Sequence, residues 1–288
     1  MRKEFLTYGL WMLTLVASLF VVSACQKDDS TYDNTEVMMT FTTRALVSPG
    51  DTTSTAIDQE RMRKLRVIMV RENGDIVDNH VEENITQTSV TFTFSTPVRT
   101  GGEDFTFFVI ANDETLPWED LSVGQTLLEP AITALKESTV DTDINSYPIP
   151  QTDYWTVHVP QSNYKIDDRT LQFAGSKISV VFNNMTKEPQ SLSNIRITGI
   201  TPNTQGYLFK QDGKDYIDSK DDNATSISWG KVLTLAAPTT GDDDETIYAS
   251  DSVAYYTYPL AASNFDSPKL YATWGDDTRE LDLSGITS

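Results

Sequence analysis

The chain of 288 residues has little cysteine, little histidine and few basic side chains. Its one cysteine, Cys25, has no second thiol in the chain with which to form a disulfide, so the folded part must be stabilised by its core. Lysine and arginine number 22 against 42 aspartate and glutamate residues, which gives a formal net charge of −20. Because phosphates would be repelled, nucleic acid is disfavoured as a partner, and so is electrostatic docking on anionic lipid.

Recognisable catalytic motifs are also missing from the sequence. His80 and His158 are its two histidines, and His158 alternates with Trp155, Val157 and Val159, which predicts that it faces solvent on a strand. No G-x-S-x-G elbow, Gly-rich phosphate loop, C-x-x-C pair or His-x-x-x-His pair occurs. We therefore predict no catalytic residue, no cofactor and no enzymatic activity.

Carboxylates cluster in two stretches, residues 212–222 and 242–245. Calcium prefers clustered oxygen ligands, but the spacing of these acidic residues does not match an EF-hand loop. Solvated loops are the favoured interpretation, and no metal site is predicted.

The long apolar run of this sequence lies at its N-terminus. Arg2 and Lys3 precede an apolar stretch, Leu10 to Val22, that is too short and too quickly followed by charge for a membrane span. Val22-Ser23-Ala24 supplies the small residues that a lipoprotein signal peptidase needs in front of a cysteine. The sequence therefore predicts a signal peptide over residues 1–24 and lipidation of Cys25, where more than one acyl chain would make the anchoring stable.

The charged tract after that cysteine, Gln26 to Ser30, resembles the surface-export signal of Bacteroidetes lipoproteins. This resemblance implies a lipid-anchored protein that is exposed on the cell outer membrane.

Most of the remaining chain has the pattern of short strands. Val37, Met39 and Phe41 alternate with polar residues, and Asn73-Gly74 predicts a hairpin with a two-residue turn. Leu128, Ile132 and Leu135 have helical spacing, with Pro130 near the start, which predicts one helix. The predicted strands lie at 37–43, 65–70, 76–77, 90–95, 105–111, 155–159, 171–182, 195–200, 206–210, 232–235, 253–258, 270–274 and 279–283.

Short strands at this spacing predict an all-β fold built from β-sandwiches. The polar, turn-rich segment 160–169 is the expected boundary between two domains of ordinary size. We predict an N-terminal sandwich over residues 45–165 and a C-terminal sandwich over 166–288.

Aromatic residues offer an alternative function, which is binding of surface glycans for a polysaccharide-uptake system. Such rings stack on sugars, although they also fill the cores of sandwiches, which is the favoured interpretation for each of them. The residues concerned are Trp118, Trp155, Trp229, Trp274, Tyr255, Tyr256 and Tyr258.

The order of several segments resembles the fimbrillins of Bacteroidales, the subunits of type V pili, together with their minor anchor and tip relatives. After the lipoprotein cysteine come a strand ending in Thr43-Arg44-Ala45, the segments 64–70 and 72–77, the strand 107–112 and the strand 171–182. The resemblance covers most of residues 20–275. It implies two transthyretin-like β-sandwich domains in tandem and a structural or adhesive role in a surface fimbrium.

The resemblance also implies a route of assembly. In polymerising fimbrillins an arginine-specific protease cuts after an arginine near the first strand, and a strand of another subunit fills the groove that opens. Arg44 matches the cleavage position, Ala45 would be the new N-terminus, and Val37, Met39 and Phe41 would belong to the displaced strand.

The C-terminal end departs from the family pattern, since polymerising relatives continue into further strands that include the donor. Either the sequence stops before its natural end, or this subunit does not donate a strand. A subunit that accepts a strand without donating one would cap the polymer, which implies a tip role. An unfinished C-terminal sandwich would also expose an unpaired strand edge. The expected partners are other pilus subunits and host or bacterial surface receptors or glycans.

Overall fold

The computed structural model describes residues 32–42, 60–87, 89–113, 120–141, 143–214, 216–221, 223–241 and 245–285. The fold is all-β, as predicted, with one α-helix among these residues, α1 (Glu129–Lys136). The strands in the first part of the chain are β1 (Tyr32–Thr42), β2 (Leu65–Arg71), β3 (Ile76–Glu82), β4 (Ser89–Arg99), β5 (Glu103–Ala111), β6 (Thr139–Val140), β7 (Gln151–Val159), β8 (Tyr164–Lys165), β9 (Arg169–Thr170) and β10 (Gln172–Phe173). Those that follow are β11 (Ser176–Asn183), β12 (Gln190–Ile200), β13 (Gly206–Tyr207), β14 (Ser226–Trp229), β15 (Leu233–Leu235), β16 (Thr239–Thr240), β17 (Thr246–Ile247), β18 (Ser250–Thr257), β19 (Phe265–Trp274) and β20 (Asp277–Asp282).

Two sheets form the first half of the molecule. Sheet A has the strand order β4-β1-β8, with β9 also paired to β1, and sheet B has the order β10-β7-β5-β2-β3. Their facing sides enclose the first core, to which β1, β2, β4, β5 and β7 all contribute. Every residue of β2 and most residues of β5 are buried, because sheet B is covered on both sides.

Two further sheets form the second half. Sheet C contains β11 and β18 alone, and sheet D has the order β14-β12-β19-β20, with β15 also paired to β12. Their facing sides enclose a separate core around Leu192, Ile195, Ile197 and Leu233.

The other face of sheet B is covered by a third core that joins the halves. Ile68 and Phe108 of sheet B pack there with Phe209 and Tyr258, and residues of α1 lie against the cluster. Strand β6 also pairs with β13 across the two halves. The described parts of both halves therefore share one continuous apolar layer.

Most predicted strands overlap an observed one, with three differences. The single strand predicted over 171–182 is wrong, because this segment is divided between β10 and β11, which belong to different sheets. Strand β14 was not predicted.

The third difference is at the first hairpin. The β2–β3 hairpin is present, but its turn has three residues, because Gly74 N–H donates to the Arg71 carbonyl and Arg71 N–H donates to the Asp75 carbonyl. Among the three turn residues only Gly74 has a positive φ, of 89°, whereas the predicted two-residue turn requires a positive φ at both Asn73 and Gly74. The prediction of a two-residue turn is therefore wrong. The helix predicted from Leu128, Ile132 and Leu135 is confirmed, with proline in its first turn.

The segment predicted as a boundary, 160–169, carries strands that pair with β1, and pairing partners change to sheet C only between Phe173 and Ser176. The division of the chain into domains 45–165 and 166–288 stays a prediction.

Candidate functional site

Strand β1 lies in the interior of sheet A, although it is the first described strand of the chain. It pairs with β4 in antiparallel fashion along all of its length, from Tyr32 opposite Arg99 to Thr42 opposite Ser89. On its other edge the pairing is parallel and comes from two short strands, β8 and β9. One edge of β1 is therefore held continuously, and the other only at intervals.

The inward face of β1 is fully buried. Val37, Met39 and Phe41 have no exposed surface, while Met38, which points to the other side, is 41% exposed. Strict alternation of this kind is what a strand with one face in the core requires. The three residues that the resemblance assigns to a displaced strand thus lie together on one face, in the first core.

Aromatic rings form the floor beneath the C-terminal end of β1. The Phe41 ring lies 5.9 Å from that of Phe92 in an edge-to-face arrangement and 6.2 Å from that of Trp155, measured between centroids. Trp155 stacks on Phe107 with 5.3 Å between the ring centroids. The central carbon of the Arg169 guanidinium lies 4.2 Å from the centroid of the Trp155 ring. Removal of β1 would expose this aromatic floor to water.

Arg169 also forms an ion pair at this end of the strand. Its Nη2 lies 2.9 Å from Asp153 Oδ2, and its Nε donates to the same oxygen. Burial raises the pKa of Asp153, an effect that the charge of Arg169 opposes only in part. The ion pair holds the guanidinium over Trp155, and Arg169 is itself the residue of β9 that pairs with Phe41.

The N-terminal half of β1 contains a weak point. Thr35 lies opposite Thr96 in the β1–β4 register, and both side chains are buried. Neither hydroxyl oxygen has a hydrogen-bond partner within the part of the chain that the structure describes. An unsatisfied buried hydroxyl costs about 1–3 kcal/mol. The β1–β4 pair is therefore held by its apolar side chains and its backbone, with a penalty at one position.

The predicted processing residues lie beyond this strand. Cys25, Arg44 and Ala45 are outside the described residues, and Thr42, the last residue of β1, precedes Arg44 by two positions. Their proposed lipidation and cleavage stay predictions.

Neither histidine forms part of a recognisable reactive cluster. His158 is exposed, as its alternation indicated, and its Nδ1 lies 2.8 Å from Oδ1 of the exposed Asp104. His80 packs edge-to-face on Phe92 at 5.1 Å. Within the described ranges no three His, Cys, Asp or Glu side chains are grouped so that they could hold a metal ion. No helix within those ranges has the length and apolar character needed to cross a membrane.

The aromatic residues of the glycan-binding alternative pack mostly into the protein. Tyr256 and Tyr258 are buried in the third core, and Trp229 donates its indole N–H to the Ala254 carbonyl at 2.7 Å. Trp274 lies 6.3 Å from Phe182 in an edge-to-face contact. Trp118 lies outside the described residues.

The sequence did not indicate the parallel partners of β1. Strands β8 and β9 have two residues each, in a polar segment without alternation, so periodicity could not find them. The neighbouring apolar residues Ile166 and Leu171 are buried in the first core, and they were the one available signal.

Comparison with known proteins gives a likeness in structure alone. No protein-family model matches the chain, and no curated protein matches it. Its structure resembles that of the tip fimbrial protein Mfa3 from Porphyromonas gingivalis, solved with a C-terminal truncation, at a TM-score of 0.50 and 13% identity over 87% of this chain and 82% of that one. A weaker likeness is to a fimbrial assembly protein from Parabacteroides distasonis, at a TM-score of 0.43 and 10% identity over 88% of this chain and 85% of that one. Another is to the fimbrial anchor protein Mfa2 from P. gingivalis, at a TM-score of 0.38 and 12% identity over 88% of this chain and 83% of that one.

Identity this low shows the fold and nothing finer. The chain shares its fold with the tip fimbrial protein Mfa3, so the resemblance found in the sequence is confirmed at the level of the fold.

Proposed function

We propose that this protein is a structural or adhesive subunit of a cell-surface pilus, and that it assembles when β1 is exchanged for a strand of another subunit. The observation that carries this proposal is the position of β1, which is central in sheet A and completely buried on one face. Every other described strand follows β1 in the sequence, so a cut after Arg44 would separate β1 from all of them.

The energetics favour replacement of the strand over simple loss. Burial of Val37, Met39 and Phe41 contributes roughly 5–9 kcal/mol, at about 1.5–3 kcal/mol for each fully buried side chain. Once β1 is no longer covalently attached, that contribution depends on the strand staying in place. A segment from another subunit with the same alternation would restore both the burial and the pairing with β4.

Location and partners follow from the same proposal. Lipidation of Cys25 would deliver the chain to the cell outer membrane, and cleavage after Arg44 would release it into the fimbrium. Its partners would be other pilus subunits, and as a tip subunit it would also contact host or bacterial surface receptors or glycans. The likeness to the fold of a tip fimbrial protein supports this choice.

Substitution of the predicted cleavage residue tests the proposal. We expect that Arg44→Ala leaves the chain uncut in cells and keeps it out of high-mass polymer, as seen in a gel of unboiled surface fractions. Arg61→Ala, which changes an exposed arginine before β2, is the matched control and should be processed normally. Assembly of the Arg44→Ala protein into polymer with wild-type partners would refute the assignment.

A further inference from the structure

Strand β1 does not match its place in sheet A at every position. Thr35 of β1 lies opposite Thr96 of β4, and each of these residues is only 1% exposed. Neither hydroxyl has a hydrogen-bond partner within the described ranges. The mismatch therefore lies inside the strand pair that the proposed exchange separates.

Other opposed threonines in the sheets do form hydrogen bonds. Thr40 and Thr91 belong to the same β1–β4 pair, and their hydroxyl oxygens lie 3.3 Å apart. Thr106 and Thr156 pair across β5 and β7 with 2.8 Å between the same atoms. The lack of a bond is therefore particular to the buried position and is not a general property of threonine pairs.

A threonine side chain cannot turn its hydroxyl independently of its methyl group. Both groups are carried by the Cβ atom, and β-branched side chains have few favourable χ1 angles. In a buried pair the orientation that packs the methyl group thus also fixes the direction of the hydroxyl. A serine, which lacks the methyl group, can turn its hydroxyl towards a neighbour without moving an apolar group.

The hydroxyl of Thr96 stays with β4 when β1 leaves. A strand that takes the place of β1 meets this hydroxyl again, at the position that Thr35 occupies in the register. An apolar side chain at that position would leave the Thr96 hydroxyl buried without a partner, which is unfavourable. A serine there could donate a hydrogen bond to it or accept one from it.

The opposite end of the same groove is shaped around an aromatic ring. The ring of Phe41 lies against those of Phe92 and Trp155. Phe41 follows Thr35 by six positions, a spacing that places both side chains on one face of the strand and about 20 Å apart. The groove thus has a polar position and an aromatic position at a fixed separation.

We propose that the segment of another pilus subunit that replaces β1 carries a serine opposite Thr96 and an aromatic residue six positions later. The two core-facing positions between them are apolar, and the segment runs in the direction of β1. This inference rests on the proposed strand exchange and adds to it the chemistry of the partner.

Thr96 is then the residue that distinguishes the partner from β1. The partner satisfies the Thr96 hydroxyl, and β1 does not. Because β1 is the less well matched occupant, its replacement is favourable, and the exchange runs towards the polymer.

Competition between peptides tests the proposal on protein that has been cut after Arg44. The probes have the sequence of Tyr32–Thr42 with serine or valine at position 35, and each displaces a labelled peptide of the unsubstituted sequence. We expect the serine probe to bind about tenfold tighter than the unsubstituted peptide, which corresponds to about 1.4 kcal/mol. In Thr96→Val protein the valine probe should bind tighter than the serine probe, because no hydroxyl is left to satisfy.

Two further peptides are the controls. Thr40→Ser in the unsubstituted peptide changes a threonine whose hydroxyl already lies near that of Thr91, and the affinity should stay the same. The serine probe with its sequence reversed has the same composition, but it places the aromatic residue opposite Thr96 and should bind more weakly. These controls separate the two matched positions from a general preference for serine or for apolar peptides.

The same residue pair can be measured in the uncut chain, which requires neither cleavage nor exchange. Thr35→Ser and Thr35→Val are compared by their midpoints of urea unfolding, with threonine and then with valine at position 96. We expect the serine variant to have the higher midpoint beside Thr96 and the valine variant to have the higher midpoint in the Thr96→Val background. A reversal of this kind is the coupling that a double-mutant cycle detects.

Two different failures can be told apart. A serine probe that binds no tighter than the unsubstituted peptide, or the same order of serine and valine in both backgrounds, would overturn the role of Thr96 and leave the strand exchange standing. Failure of every probe to enter the cut protein, the unsubstituted peptide included, would refute the strand exchange itself and with it the choice of partner.

Discussion

Single residues of sheet A combine burial with incomplete hydrogen bonding. The hydroxyls of Thr35 and Thr96 have no hydrogen-bond partner among the described residues, and they lie opposite each other in the β1–β4 pair, one of the strand pairings that the proposed exchange must break. A threonine here costs stability that a valine of the same shape would not, because valine has no polar atom to satisfy. The penalty makes β1 easier to release than a fully apolar strand would be.

Thr35→Val should therefore stabilise the protein. We expect the free energy of unfolding to rise by about 1 kcal/mol, measured by urea denaturation of the uncut chain. Thr40→Val is the control, because the Thr40 hydroxyl lies 3.3 Å from that of Thr91 and its loss should bring no gain. A loss of stability in Thr35→Val would contradict the hydroxyl penalty.

Two aspartates around the first hairpin should respond to pH in opposite directions. Burial raises the pKa of Asp78, whereas hydrogen bonds from Thr126 and Asn73 lower the pKa of Asp75. At pH values between the ordinary pKa of 3.8 and the raised pKa of the folded state, Asp78 is protonated more often in the folded protein than in the unfolded chain. The contribution of Asp78 to stability therefore falls as the pH rises through this range. The contribution of Asp75 to stability is fully present above pH 3.8, and it is lost as the pH falls through the lowered pKa of the folded state.

Urea unfolding at a series of pH values checks these signs. Relative to wild type, Asp78→Asn should lose less stability as pH rises from about 3.8, and Asp75→Asn should lose less as pH falls below it. The same direction of change in both variants would show that the two environments do not act as described.

At the scale of elements, β1 shows what sequence pattern can and cannot reveal. Alternation of Val37, Met39 and Phe41 predicted the strand and its buried face, because that pattern is a local property. Its neighbours could not be predicted, since pairing with β4 and with β8 and β9 joins residues far apart in the sequence. The three-residue hairpin turn was missed because Asn-Gly is compatible with more than one turn.

Exchange of the strand can be measured directly. A labelled peptide with the sequence of Tyr32–Thr42 should enter protein that an arginine-specific protease has cut after Arg44, and should not enter uncut protein. The same peptide with alanine in place of Phe41 should enter much less, because a buried phenylalanine replaced by alanine costs about 3–5 kcal/mol. Equal uptake by cut and uncut protein would show that β1 is not what blocks the groove.

At the scale of the whole molecule, a buried polar cluster joins the two halves. Glu60, which lies just before β2, accepts a hydrogen bond of 2.9 Å from the Tyr256 hydroxyl, and Lys177 Nζ lies 3.0 Å from the same oxygen. Burial raises the pKa of Tyr256, and the neighbouring Glu60 carboxylate raises it further, so the phenol stays protonated as a donor. The all-β class and the two sets of strands were predictable from composition and pattern. This link was not, because it joins residues from distant parts of the sequence.

Removal of the cation should show how much the link matters. Lys177→Met leaves the buried Glu60 carboxylate without its ion pair, and we expect a loss of about 3–5 kcal/mol in the free energy of unfolding. Lys214→Met, which removes an exposed lysine 3.9 Å from Glu137, should change it by about 1 kcal/mol or less. Similar losses in both variants would mean that the buried pair does not stabilise the contact between the halves.

The most direct test of the proposed strand exchange is the N-terminal residue of the protein recovered from the surface of its own cells. We predict Ala45, which would mean that the chain has been cut after Arg44 and has lost its covalent link to β1. An acylated Cys25 at the N-terminus of the surface protein would contradict the exchange, because β1 would then still be attached in its place in sheet A.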